Sequence, residues 1–393
     1  MRSKLLFLTM LLFILIALFG CSSSGETEDT SVETDTTNEV SSTEGETKAQ
    51  LPDQMVWSVY STGAGTYADM AAIAEVFTQE YGTNIRLLPN DTGVGRMAPL
   101  RDGAADIGRV GEEYIYAFEG DLDFAVADWG PQDVRMIWGP ITGSSIAIAV
   151  EADSGIETVA DLKGKTIANI IANPSVENKM RAYLAYADLT YDDVNLVDLT
   201  YSDQVEAFKS GQIDAILFNP FGAAMFELAS TMDIKWLDLD DDSPETWERV
   251  HEVAPSVLRG ELIGGAGMEE GEVLGTIVYS VPIIAYADQD KDFVYNLAKA
   301  LHEQFEKYKD ATNVLYNHDI NEILTEPLVV PFHDGVIEFF KEHGMWTEEA
   351  EKKNNELIER QKKLQEGWSE MDLSLDEETL RKEWEEWKEN NLD

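Results

Sequence analysis

The chain predicts an α/β protein of two lobes joined by crossing strands and followed by a helical extension. From Val56 onward, apolar runs of strand length alternate with amphipathic stretches of helical period, the pattern of mostly parallel sheets flanked by helices. The alternation comes in two series that change over near Ala149-Val150, and the later run TIVYSVPIIAYA (276–287) reads as a strand pair returning to the first series. A lobe that is entered, left and re-entered has a cleft beside it and a geometry suited to hinge closure on a small molecule.

The first series places strands at VWSVY, NIRLL, ADIGRV, VRMIWG and SSIAIAV, with helices beginning near Thr66, Gly95 and Glu112. The second places strands at KTIANI, VNLVDL and IDAILF, and helices over Ser175 to Ala187, Asp203 to Lys209 and Phe221 to Ala229. Helices over 290–308 and 335–343 complete the first lobe, and the charged stretch 347–393 reads as a helical extension. Its Trp368, Trp384 and Trp387 are expected to pack on the body. The expected boundaries are 55–148 with 265–346 for lobe 1, 149–264 for lobe 2, and 347–393 for the extension.

Ahead of the lobes, Arg2 and Lys4 precede the run Leu5 to Phe19, which closes on Gly20-Cys21. This reads as a secretory signal over 1–20, with Cys21 resembling the lipidated cysteine of a bacterial lipoprotein signal. Cys21 is the single cysteine of the 393 residues, so no intramolecular disulfide and no cysteine-based metal knuckle are available. The Ser/Thr/Glu-rich segment that follows is too polar to fold on its own and reads as a tether over 21–54. The expected location is extracytoplasmic, anchored to the outer face of the cell membrane.

The formal net charge of −46 excludes a nucleic-acid partner and argues against docking on anionic headgroups. An anionic ligand then needs local cations or helix N-termini in a cleft. His251, His302, His318, His333 and His343 show no metal-ligand spacing and no nucleophile setting, so neither a metal site nor a catalytic constellation is expected.

Six blocks in order, STGAGTYADMAAIAEVF, TGVGRMAPLRDGAADIGRV, ADSGIETVADLKGKTIA, GQIDAILF, YADQDKDFVYNLAKALHEQF and PFHDGVIEFFKEHGMW, resemble the TAXI-type substrate-binding proteins of TRAP transporters. The resemblance spans Val56 to about Trp346. It implies a two-lobed periplasmic-binding-protein fold (type II-like) and a receptor that hands a small carboxylate, glutamate- or 2-oxoglutarate-like, to a permease driven by an ion gradient. It implies no cofactor and a monomer. The chain departs from the commoner family pattern at IIANPSVENKM and at TGVG followed by Arg96, both where ligand contacts are expected.

Ligands of such folds sit at the carboxyl ends of strands, facing helix N-termini. One expected wall is the turn Ser61, Thr62, Gly63, Ala64, Gly65 and Thr66, with Tyr67 covering an apolar ligand face; its glycines also suit a tight turn for backbone reasons alone. Gly63-x-Gly65-x-x-Ala68 also fits a dinucleotide fingerprint, so a secreted NAD-dependent oxidoreductase is one alternative function. A sensor that engages a membrane signalling protein is the other. A second turn, Thr92, Gly93, Val94, Gly95 and Arg96, offers a cation for a bidentate carboxylate pair, against which stands a salt bridge to Asp91 or Asp106. Arg109 points to the cleft or pairs with Glu112 or Glu113. From lobe 2, Asn173, Pro174 and Ser175 open a helix, and Phe218 and Asn219 end a strand; capping and core packing are the plainer roles for these residues.

Overall fold

The computed structural model describes residues 48–392, so the signal, Cys21 and most of the tether lie outside the described residues. The folded body starts slightly before the expected end of the tether. Ala49 is buried, and the Ala49 and Gln50 amides donate to Glu303 and Asn296.

In the first lobe, β1 (Gln54–Val59) leads into α1 (Gly65–Tyr81), β2 (Asn84–Pro89), α2 (Gly93–Arg101), β3 (Ile107–Arg109), α3 (Glu113–Glu119) and β4 (Val134–Trp138). β1 pairs in parallel with β2 and β3, which places Trp57 beside Leu87 and Ile107 in the core. Gly82 ends α1 in the left-handed region at φ 74°, a conformation that glycine adopts without a side-chain penalty.

The chain then crosses to the second lobe through β5 (Ser144–Glu151). There follow β6 (Thr166–Ile170), α4 (Pro174–Tyr186), β7 (Asn195–Leu199), α5 (Asp203–Lys209), β8 (Ala215–Phe218), α6 (Ala223–Ala229) and β9 (Ile234–Trp236). α7 (Pro244–Val253), β10 (Leu258–Ile263) and β11 (Val273–Tyr279) complete the lobe. β12 (Ile283–Tyr286) returns to the first sheet, whose order is β2-β1-β3-β12-β4. The second lobe orders β10-β11-β5-β8, with β9 also on β5 and β6 paired to β7.

The expected mostly parallel sheets hold only for β1 to β3 and for β6 with β7. β12 is antiparallel to β3 and β4, and β5 is antiparallel to β8, β9 and β11. Strands that carry the chain between lobes enter each sheet against its direction, so antiparallel pairing follows from the crossing itself.

The two crossings, 139–143 and 280–282, lie against one another. A side chain on Gly143 would sit 3.2 Å from Pro140 and 3.3 Å from the Val281 amide. Sheet membership puts β5 from Ser144 and β11 from Val273 in the second lobe, so the lobes change over a few residues before the expected 148 and well after the expected 265. Periodicity alone cannot assign a strand that is buried on both sides to one sheet or the other.

α8 (Lys291–Glu303), α9 (Phe305–Tyr308) and α10 (Asp334–Glu342) pack on the first lobe, the predicted helix 290–308 being interrupted at Gln304. α11 (Glu348–Ser369) and α12 (Glu377–Asn391) close against the same core. Trp384 is fully buried, 5.1 Å edge-on from Trp368 and 5.1 Å stacked on Trp387.

Candidate functional site

The two lobes meet through the turns that open α1, α2 and α4. The Ser61 hydroxyl lies 3.0 Å from that of Ser202, and the Ala224 amide donates to the Gly63 carbonyl at 3.3 Å. A side chain on Gly65 would come 2.7 Å from Asn219 Oδ1, so this glycine is required by the approach of the other lobe. Ala64 and Thr66 are buried here and Thr62 is exposed, whereas Tyr67 packs against the first lobe's core rather than facing the cleft.

The second turn is committed in the same way. Thr92 caps α2 by accepting from the Gly95 amide at 3.0 Å, the Gly93 amide donates to the Ala172 carbonyl across the cleft at 2.9 Å, and Val94 packs against the first core. Asp91 accepts the Ser202 amide and hydroxyl, each at 2.9 Å, and its carbonyl accepts Asn173 Nδ2 at 3.1 Å. Asn173 also caps α4 through the Val176 amide at 3.4 Å.

Arg96 is fully buried. It pairs with neither Asp91 nor Asp106, which are engaged by the Ser202 hydrogen bonds and by the Val56 amide. Its Nε donates to Glu113 at 2.6 Å, its Nη1 donates to the Asn90 carbonyl at 3.0 Å, and its guanidinium carbon stands 3.6 Å above the Tyr60 ring. Burial disfavours its charge, but the Glu113 carboxylate holds its pKa above the ordinary arginine value. Its Nη2 has no partner among the described residues, and neither has Tyr60 Oη nor Glu113 Oε2.

Arg109 departs from its expected partners too. It pairs with Asp69 at 3.0 Å and donates to the Gly143 carbonyl at 3.3 Å, because β3 turns its side chain toward α1 and the crossing segment. Glu112 instead meets Lys179 of α4 at 3.0 Å. That ammonium also donates to the Ser175 carbonyl at 3.0 Å and hydroxyl at 3.2 Å, and lies 3.9 Å over the Tyr279 ring. Burial lowers the Lys179 pKa, with Glu112 acting in the opposite sense.

The clearest convergence is at Gly111, where a side chain would lie 2.6 Å from Ser175 Oγ, 2.9 Å from Glu113 Oε2 and against the Tyr60 hydroxyl. Pro174 begins α4 beside this point. Phe218 stacks on Tyr201 at 4.2 Å, so it serves the aromatic wall of the second lobe's core. Asn219 is fully engaged: its amide N–H donates to Tyr201 Oη, its Nδ2 to Ser144 Oγ at 3.0 Å and the Ser145 carbonyl at 3.1 Å, and its Oδ1 accepts the Phe221 amide.

The site therefore gathers three cations, Arg96, Arg109 and Lys179, and three carboxylates, Asp69, Glu112 and Glu113, none more than 3% exposed. Their formal charges cancel. Tyr60, Lys179, Tyr201 and Tyr279 were not singled out from the sequence, and Glu113 was named only as an alternative partner of Arg109. Only Lys179 carried a signal, since it sits one helical turn after Ser175 on the buried face of α4.

A provisionally named binding protein of Brucella abortus (strain 2308) is 29% identical over 145 residues, which cover 34% of this chain and 43% of that relative. Among solved structures, the aliphatic sulphonate binding protein SsuA from Escherichia coli gives a TM-score of 0.41 at 17% identity over 75% of this chain and 89% of that one. The GluR0 ligand-binding core from Nostoc punctiforme in complex with L-glutamate gives 0.37 at 13% identity, over 66% and 97%. The model of the NMT1-like family matches residues 60–344, which contain nearly all of both lobes and both crossing segments. The chain belongs to the NMT1-like family.

Proposed function

We propose that the chain is an extracytoplasmic solute receptor, anchored through Cys21, that closes its two lobes on a small carboxylate and delivers it to a TRAP-type permease. The observation that carries the ligand class is the buried Arg96, whose Nη2 is unpartnered beside the unpartnered Tyr60 hydroxyl. Two donors at a fixed separation suit one carboxylate. Glu113 Oε2 offers an acceptor at the same place, and the cancelling charges favour a ligand that brings an ammonium or another donor with its acid. A glutamate-like acid meets both conditions. The relative's name as a binding protein agrees with this reading, and the permease partner rests on the resemblance of the six sequence blocks.

The test is thermal-shift screening of the full chain against amino acids and small mono- and dicarboxylates, repeated with Tyr60→Phe. The variant removes a hydroxyl that has no partner, so the ligand-free transition is expected within about 2 °C of wild type, while carboxylate affinity falls about tenfold. Equal stabilisation of both proteins removes Tyr60 from the site. No shift with any acid overturns the ligand class.

A further inference from the structure

A cavity of about 510 Å3 lies between the lobes on the side of α3 and α4. Three separate segments bring exposed apolar side chains to it: Ile141 from the first crossing, Leu258 from β10, and Leu328 with Val329 from the first lobe, each 40–53% exposed. Side chains of this size gathered around one concave space gain free energy when an apolar surface covers them. The volume is that of a small-molecule pocket. Among the lining residues the one charged side chain is Glu112. Its carboxylate is committed to the Lys179 ammonium at 3.0 Å, to the Tyr116 hydroxyl at 3.1 Å and to the Ser256 hydroxyl.

We infer that this cavity holds the apolar side chain of an amino acid whose ammonium and carboxylate sit at the Arg96 cluster, so that the ligand is leucine- or phenylalanine-like and not a dicarboxylate. The head group rests on the proposed function, and the cavity narrows its ligand class. The two places adjoin. Glu112 and Tyr279 line the cavity, Tyr279 carries the Lys179 ammonium 3.9 Å over its ring, and Gly111, on which Tyr60, Glu113 and Ser175 converge, directly precedes Glu112. A second carboxylate reaching into the cavity would exchange water for apolar walls and meet Glu112, with no cation among the lining residues to receive it. An apolar side chain instead covers Ile141, Leu258, Leu328 and Val329, which belong to both lobes and a crossing, so its burial favours the closed arrangement. A zwitterion also brings no net charge against the −46 of the chain.

The test is titration calorimetry of the full chain with L-leucine, L-phenylalanine and L-glutamate. The better of the two apolar amino acids is expected to bind at least about tenfold more tightly than glutamate, with a negative heat-capacity change. Leu328→Lys sets a cation at the cavity and is expected to weaken the apolar amino acid about tenfold while strengthening glutamate about threefold. Leu373→Lys adds the same charge at another exposed leucine, in the C-terminal extension, and is expected to leave both affinities within about twofold. Glutamate binding to wild type as tightly as the apolar amino acids, or an apolar affinity unchanged in Leu328→Lys, overturns the apolar pocket and leaves the proposed carboxylate receptor in place. Equal changes in the two lysine variants reduce the effect to net charge and overturn it as well. Silence with all three amino acids overturns the pocket, and the proposed function falls with it only when the wider acid screen is also silent.

Discussion

At the scale of single residues, the interlobe site is a set of buried charges whose roles follow from their partners. Arg96 is held by Glu113, Arg109 by Asp69 and Lys179 by Glu112, so truncating any of the cations leaves a buried carboxylate unpaired, at a cost of about 3–5 kcal/mol. That is why the uncharged Tyr60 is the better probe of binding. His318 is a different case: it is fully buried, neither ring nitrogen has a hydrogen-bond partner among the described residues, and burial with help from the nearby Arg109 charge pushes its pKa well below 6.5. The unfolded state then binds the proton more tightly than the folded one. Stability from this group is fully present above about pH 6.5 and declines as pH falls, by up to about 1.4 kcal/mol per pH unit. Urea unfolding from pH 7.5 to 5 is expected to show a steeper loss for wild type than for His318→Gln. Parallel curves would mean that His318 does not titrate between the two states.

At the scale of elements, the helix-opening turns bridge the two lobes. The turns before α1 and α2 give backbone groups to the second lobe, and α4 gives Ser175 and Lys179 to the first. The C-terminal helices pack as a layer on the first lobe: Arg360 makes two 2.8 Å bonds to Glu119, and Trp384 Nε1 donates to the Glu119 carbonyl at 3.2 Å. Trp384→Ala removes a fully buried ring and is expected to destabilise the fold by about 3–5 kcal/mol in chemical denaturation. Ligand affinity is expected to change less than about twofold, since the ring lies in the first lobe's core and not at the lobe interface. A large affinity loss with little destabilisation would assign the extension to binding instead.

At the scale of the whole molecule, bonds across the cleft join the two lobes, and the Asp91 carboxylate makes two of them, to the Ser202 amide and hydroxyl. At about 1 kcal/mol each, their loss shifts an open-closed equilibrium by roughly tenfold or more. Asp91→Ala is therefore expected to enlarge the radius of gyration in solution scattering and to weaken ligand binding by about that factor. An unchanged radius together with unchanged affinity would show that other contacts hold the lobes closed.

The sequence by itself determined the alternation of elements, because helical and strand periods are local and strong: α5 falls on its predicted residues, and α1, α4 and β2 within one or two. It also marked the turns Ser61 to Thr66 and Thr92 to Arg96 as special, since glycine beside hydroxyls at a strand end announces a tight helix entry. Only the tertiary structure decided what those turns face. Gly65 makes room for Asn219, and Arg96 reaches past Asp91 and Asp106 in its neighbourhood to Glu113. The choice among carboxylates in a chain of such acidity depends on which one is buried at hydrogen-bonding distance, and distance between separate elements leaves no trace in local spacing. For the same reason Tyr60 and Tyr201 gave no local signal of the ring contact they make between the two lobes.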